Sequence, residues 1–251
     1  MKLYNIFINF FLKKQKIVII NKIFKRLSKK NNIDSRKWAI KKCESFEDFA
    51  KKINNDILIE SINYSKYLNE YSSSKLKDLN VVLGGGAFCS LLYFITRLKK
   101  PKVILETGVA AGFSSRTFLD ATKKNGIGKL YSSDFPYFRI KNPEKFIGLL
   151  VNDDFKNNWT LSIEGDEFAL PKFVKKLKKI DIFHYDSDKS YRGRFEAVSN
   201  IKSIIDDETI LIFDDIQDNF FFRDFVNKYN KNYKIFKSRN KYVGFIFNKL
   251  T

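Results

Sequence analysis

The sequence contains one histidine, His184, in 251 residues. That count excludes multi-histidine metal sites and any mechanism that needs two imidazoles. The two cysteines, Cys43 and Cys89, have no metal-ligand spacing and form no disulfide framework. They are expected to be reduced thiols of a cytoplasmic protein. Acidic side chains are outnumbered, 28 Asp and Glu against 47 Lys and Arg, for a formal charge of +19. A basic balance of this size ordinarily suggests a nucleic-acid or acidic-membrane partner. Here the excess is mostly Lys rather than Arg, and Lys, Asn and Ile are abundant along the whole chain, as in a compositional bias. Solvated surface lysines are therefore expected and a nucleic-acid partner is not. Also missing is a long uninterrupted apolar run. Lysines break both apolar stretches of "MKLYNIFINFFLKKQKIVIINKIFKRLSKK", so neither reaches the roughly 20 residues of a spanning helix. No small-residue cleavage site of the signal-peptide kind follows them.

What is present points to a globular enzyme-sized domain. Apolar content of 44% rules out wholesale disorder. The basic N-terminal stretch reads as an amphipathic helix, packed on the domain or a partner subunit, or lying on the inner face of an anionic membrane. From Ser45 to Tyr71 apolar residues recur near helical spacing. After "YSSSK" and "LGGGAF" the pattern changes, which divides the chain into a helical extension, residues 1–72, and a core domain, residues 73–251. In the core, β-type runs fall at Val103–Glu106, Lys129–Ser133, Trp159–Ile163, Asp181–Tyr185 and Thr209–Phe213, with helical periods between them. Alternation of this kind predicts a doubly wound, mostly parallel α/β sheet. Two last runs, Tyr233–Lys237 and Tyr242–Phe247, are close enough to demand an antiparallel hairpin, giving seven strands.

Chemistry-bearing residues gather at the strand ends. "VILETGVAAGFSSRTFLDA" ends a strand in Glu106, brackets a tight turn with Gly108, Ala110 and Gly112, and starts a helix near Ser114 and Ser115. Ligands of open α/β sheets bind beyond the strands' carboxyl ends, where glycines permit close backbone approach and a helix N-terminus receives an anion. In "LYSSDFP", Asp134 is placed to accept ribose hydroxyls. In "IEGDEFALP", Asp166 is placed to accept from an adenine amino group. Either acid could instead serve as a helix N-cap or first-turn residue. The spacing of "GVAAG" is not the G-x-G-x-x-G of nicotinamide-dependent dehydrogenases. "YDSDK" and "IFDDI" add Asp186, Lys189, Asp214 and Asp215 at the ends of the next two strands.

In this order the motifs resemble those of class I S-adenosylmethionine-dependent methyltransferases over roughly residues 84–250. More narrowly, "ETGVAAGFSS", "LYSSDFP", "DIFHYDSDKSY" and "FDDIQDNFFFRDF" resemble a bacterial branch associated with sugar and surface-glycan tailoring. The resemblance implies a Rossmann-like fold with an antiparallel C-terminal hairpin. It also implies S-adenosylmethionine held by Glu106, Gly108, Ala110, Gly112, Ser114, Ser115, Asp134, Asp166 and Asp186, and O-methylation of a glycan or small hydroxylated acceptor, by a homo-oligomer. In metal-dependent members, such as the caffeoyl-coenzyme A and catechol O-methyltransferases, acids at the positions of Asp186, Asp214 and Asp215 bind a divalent cation such as Mg2+, and a lysine at the position of Lys189 is the base. A hard cation among clustered carboxylates is chemically reasonable.

One position departs from the tailoring branch, which usually carries histidine where this chain has Lys189. That leaves three readings open: differently tuned chemistry, metal use of the catechol type, or loss of the branch's activity. His184 falls two residues before Asp186, on the same face of an extended strand. It reads as a histidine packed within the sheet, with an orienting role as the alternative. Arg192 and Arg194 follow Tyr191 and read as surface ion-pairing residues, with contact to an anionic acceptor as the alternative.

Overall fold

A computed structural model describes residues 33–137 and 140–250, apart from 80, 82, 84 and 85, together with Ile20 alone. The amphipathic segment expected over residues 1–32 otherwise lies outside the described residues. Helix α1 (Ile33–Lys42) leads into a two-residue strand, β1 (Cys43–Glu44), and then α2 (Phe46–Ile53) and α3 (Asn55–Leu76). The helical pattern read over Ser45–Tyr71 is thus realised as two helices, separated at Asn54. That residue is extended, with φ −160°, and its side chain accepts from the Ile57 amide at 2.9 Å, so it stops one helix and caps the next.

The core follows as α4 (Cys89–Lys99), β2 (Val103–Thr107), α5 (Phe113–Asn125), β3 (Lys129–Ser133), β4 (Trp159–Ser162), α6 (Asp166–Lys176), β5 (Ile182–Tyr185), α7 (Tyr191–Ile201) and β6 (Ile210–Phe213). It ends with α8 (Phe221–Lys228), β7 (Tyr233–Ser238) and β8 (Lys241–Ile246). The sheet order is β1-β7-β8-β6-β5-β2-β3-β4, with β8 antiparallel to both neighbours and the other pairs parallel. Among the described residues the sheet thus has eight strands rather than seven, because Cys43 and Glu44 pair with Ile235 and Phe236 of β7.

Strand alternation splits the core into two layers. Leu105, Phe183 and Phe213 pack with residues of α1, α6, α7 and α8 on one face. Ile104, Ile182 and Ile212 pack with residues of α2, α4 and α5 on the other. The helical extension is therefore part of both apolar layers, through Ala39 on the first face and Phe46, Ala50 and Leu58 on the second.

One crossover lacks the helix that the alternating pattern predicts. Between β3 and β4 the described residues form only the short 3-10 turns Pro143–Phe146 and Asp153–Phe155. Backbone donors of this segment are used on the loop after β2 instead, Gly148 N–H to the Ala110 carbonyl at 2.9 Å and Leu150 N–H to the Ala111 carbonyl at 2.9 Å. This crossover is thereby fixed against the glycine loop.

Candidate functional site

The loop after β2 takes left-handed φ values at Gly108 (85°), Ala110 (49°) and Gly112 (98°) before α5 begins. A Cβ on Gly108 would lie 2.6 Å from the carbonyl carbon of Asp186, so only glycine lets the β2 and β5 loops meet here. Glu106 is excluded from solvent, and its Oε2 accepts from Ser115 Oγ at 2.5 Å and Ser132 Oγ at 2.8 Å. Ser115 is therefore committed to Glu106, while Ser114 is buried in the first turn of α5. Asp134 Oδ2 accepts from the Val109 and Ala110 amides at 3.1 and 2.6 Å, which places the expected ribose acid against the glycine loop. Asp166 sits in the first helical turn of α6 and accepts from Ser133 Oγ at 2.7 Å and from Ser187 Oγ. It thus ties β3 to the loop after β5.

The β5 and β6 ends carry the ionisable groups. Lys189 Nζ donates to the Asp186 carboxylate and to the Asp186 carbonyl at 3.1 Å, and lies 3.1 Å from Asp215 Oδ2. Lys241 Nζ reaches the same Asp215 oxygen at 3.3 Å, and Gln217 Nε2 donates to the other at 3.1 Å. Asp214 points elsewhere: its Oδ1 is 3.7 Å from His184 Nε2, whose Nδ1 is 3.7 Å from Glu106 Oε1. His184 is fully buried. It therefore shares its contacts with Glu106 and Asp214 rather than with Asp186, which lies past the end of the strand. Asp188 accepts from the Ser190 amide at 3.0 Å and is a turn residue at the start of α7.

Local charges shift these groups in opposite senses. Burial alone would lower the His184 pKa, but the Asp214 and Glu106 carboxylates outweigh it and raise the group to about 9. Asp214 stays below the usual carboxylate range despite its burial, because His184 and then Lys189 favour its charged form. Asp215 is likewise lowered, burial being overcome by Lys189 and Lys241. Lys189 is lowered by burial, which Asp215 and Asp214 only partly offset.

The set expected to bind a divalent cation does not form. Asp186 and Asp215 converge on the Lys189 ammonium while Asp214 turns to His184. Among the described residues no three ligating side chains come together. The acids therefore do not fit a metal ion as they stand. A cavity of about 200 Å³, lined by Gly86, Phe88, Asp214, Arg239 and Lys241, opens beside them.

Several residues were not expected at the site. Arg194 is fully buried, and its Nη2 donates to the Asp214 and Asp215 carbonyls at 2.8 Å each, which corrects its reading as a surface residue. Its helical spacing with Ala197 and Ile201, both buried on α7, carried that signal. Arg192, by contrast, is exposed and pairs with Glu196 at 2.5 Å, as the sequence suggested. Ser132 is the register partner of Glu106, and a parallel β2–β3 pairing alone would have found it.

A glycine loop at the carboxyl end of a doubly wound sheet, beside a strand-end acid, defines a Rossmann-like cofactor domain. Its antiparallel β6–β8–β7 end gives the class I methyltransferase fold. Residues 105–216 match a family model described as a methyltransferase domain. The part of the chain that carries the glycine loop and the strand-end acids is thus similar to a methyltransferase domain, in a sheet of the class I methyltransferase fold.

Among solved structures, a putative caffeoyl-CoA O-methyltransferase from Staphylococcus aureus is similar at 14% identity and TM-score 0.54, over 85% of this chain and 99% of that one. The O-methyltransferase TomG from Streptomyces achromogenes, in complex with SAM, is similar at 12% identity and TM-score 0.54, over 72% of this chain and 89% of that one. An O-methyltransferase from Bacillus cereus, in complex with SAH, is 11% identical with TM-score 0.51, over 80% of this chain and 96% of that one. At these identities the likeness is one of fold. No curated protein matches the sequence.

The residues of the loop fit S-adenosylmethionine. The amides of residues 109 and 110 and the Asp134 carboxylate meet at one point, and the N-terminus of α5 faces the same loop. Asp134 engages both amides, so the set offers the Asp134 acceptor to ribose hydroxyls and the N-terminus of α5 to an amino-acid carboxylate. Asp166, engaged by Ser133 and Ser187, is a brace of the loop on which the cofactor would lie.

Proposed function

We propose that this enzyme methylates a hydroxyl oxygen of a sugar or another small hydroxylated metabolite. The observation that carries the reading is the Asp186–Lys189 pair, held directly against the glycine loop by the close approach of Asp186 to Gly108. The Asp186–Lys189 pair would orient the acceptor hydroxyl toward the methyl group that S-adenosylmethionine supplies when bound, and would take the hydroxyl proton. Burial lowers the Lys189 pKa, which brings its proton exchange closer to neutral pH. Most of the acceleration would come from positioning the oxygen against the carbon. That O-methyltransferases are among the proteins of similar fold supports oxygen as the acceptor atom.

The test is S-adenosylhomocysteine release over a panel of hydroxylated acceptors, with the methylated atom identified by mass spectrometry and NMR. Product methylated on nitrogen or carbon alone would overturn the reading. Asp134→Ala should weaken S-adenosylmethionine binding by calorimetry about tenfold or more, a loss of roughly 1.4 kcal/mol.

A further inference from the structure

We propose that the Lys189 ammonium, lying between Asp186 and Asp215, keeps a divalent cation out of this site, whereas in the metal-dependent pattern a lysine at this position stands beside the cation as the base. Lys189 joins acids from two strand ends, Asp186 after β5 and Asp215 after β6, just as a bridging ion would. A second ammonium, Lys241, backs the same Asp215 oxygen at 3.3 Å, and Gln217 Nε2 takes the other oxygen at 3.1 Å. Every Asp215 oxygen that an ion would need is thus already bonded by a donor.

The third acid cannot readily return. Asp214 is 2% exposed and faces His184. Asp215 has φ 54°, and the buried Arg194 guanidinium holds the carbonyls of both aspartates at 2.8 Å. The left-handed corner sends the two neighbouring carboxylates in different directions, and Arg194 fixes it. A divalent ion entering here would have to displace the Lys189 and Lys241 ammoniums from the carboxylates it needs, with no third acid turned toward it. Charge balance therefore comes from the chain itself. The ammonium can also stabilise negative charge developing on an acceptor oxygen, the part a metal plays elsewhere.

The proposal shares its location with the methyl-transfer reading, but its test needs no acceptor, so each can fail separately. Mn2+ binding is followed by electron paramagnetic resonance on the intact protein. The wild type should show no binding that Asp186→Asn removes. Lys189→Met and Lys189→Ala, checked for folding by circular dichroism, should gain Mn2+ affinity by about tenfold or more, and the added Asp186→Asn should abolish the gain. Wild-type protein that binds Mn2+ through Asp186 would overturn the proposal whatever the variants do. So would folded Lys189 variants that bind no better than wild type. Chelator treatment of the wild type should leave S-adenosylmethionine affinity unchanged.

Discussion

Glu106 on β2 and His184 on β5 are register partners in the sheet, and the imidazole Nδ1 lies 3.7 Å from Glu106 Oε1 with both side chains excluded from solvent. The other ring nitrogen faces Asp214, so one imidazolium is buried between two carboxylates. With its folded pKa raised from 6.5 to about 9, His184 contributes stability that is complete below about pH 6.5 and is lost as pH rises through about 9. The full swing is on the order of 3 kcal/mol. Urea unfolding at pH 6.5, 8 and 9.5 should show stability falling across that window, and His184→Asn should flatten the fall while lowering stability at pH 6.5. As the only histidine, His184 also gives a single imidazole 15N signature, which should remain that of the cation at pH 8.

Gly108→Ala should be among the costliest single-methyl additions in the protein. The new Cβ would meet the backbone of Asp186 at 2.6 Å, where φ is +85°. Backbone on both sides leaves nothing soft to yield, so a loss of roughly 3 kcal/mol is expected, or about 6–12 °C in Tm for a chain of this size. Thermal unfolding checks the magnitude. A displaced Asp186 loop should also cost S-adenosylmethionine affinity, and calorimetry should show it.

Arg194 and Arg192 lie two positions apart on α7 and should behave oppositely. Arg194→Met leaves the Asp214 and Asp215 carbonyls without their donor in a fully buried place, at a cost of roughly 3 kcal/mol. Arg192→Met removes only a solvent-exposed pair with Glu196 and should change stability by less than about 0.5 kcal/mol. Chemical denaturation of the two variants side by side tests the contrast. Equal effects would contradict the buried placement.

The sheet was readable because its strands are short apolar runs, and Ile104, Leu105, Ile182, Phe183, Ile212 and Phe213 are buried in the layers that strand alternation assigns. β1 was not, since two residues, Cys43 and Glu44, carry no periodic signal and pair only because the tertiary fold brings them to β7. The glycine loop and the acids at the strand ends were placed by motif, but their directions were not. Sequence sets Asp214 beside Asp215, while the left-handed backbone at Asp215 turns their side chains to different partners. The missing crossover helix has a similar origin. Pro136, Pro143 and Gly148 weaken any helix there, and the hydrogen bonds that replace it run to a loop distant in sequence.

The small strand β1 has a consequence for association between molecules. An exposed strand edge offers unpaired amides and carbonyls to any passing chain. Cys43 and Glu44 cover Ile235 and Phe236 of β7, and Glu44 adds an ion pair to Lys234 at 2.9 Å. Two residues of the helical extension thus act as a stopper on that edge. Trimming the chain past Glu44 would uncork it and turn a closed border into an adhesive one.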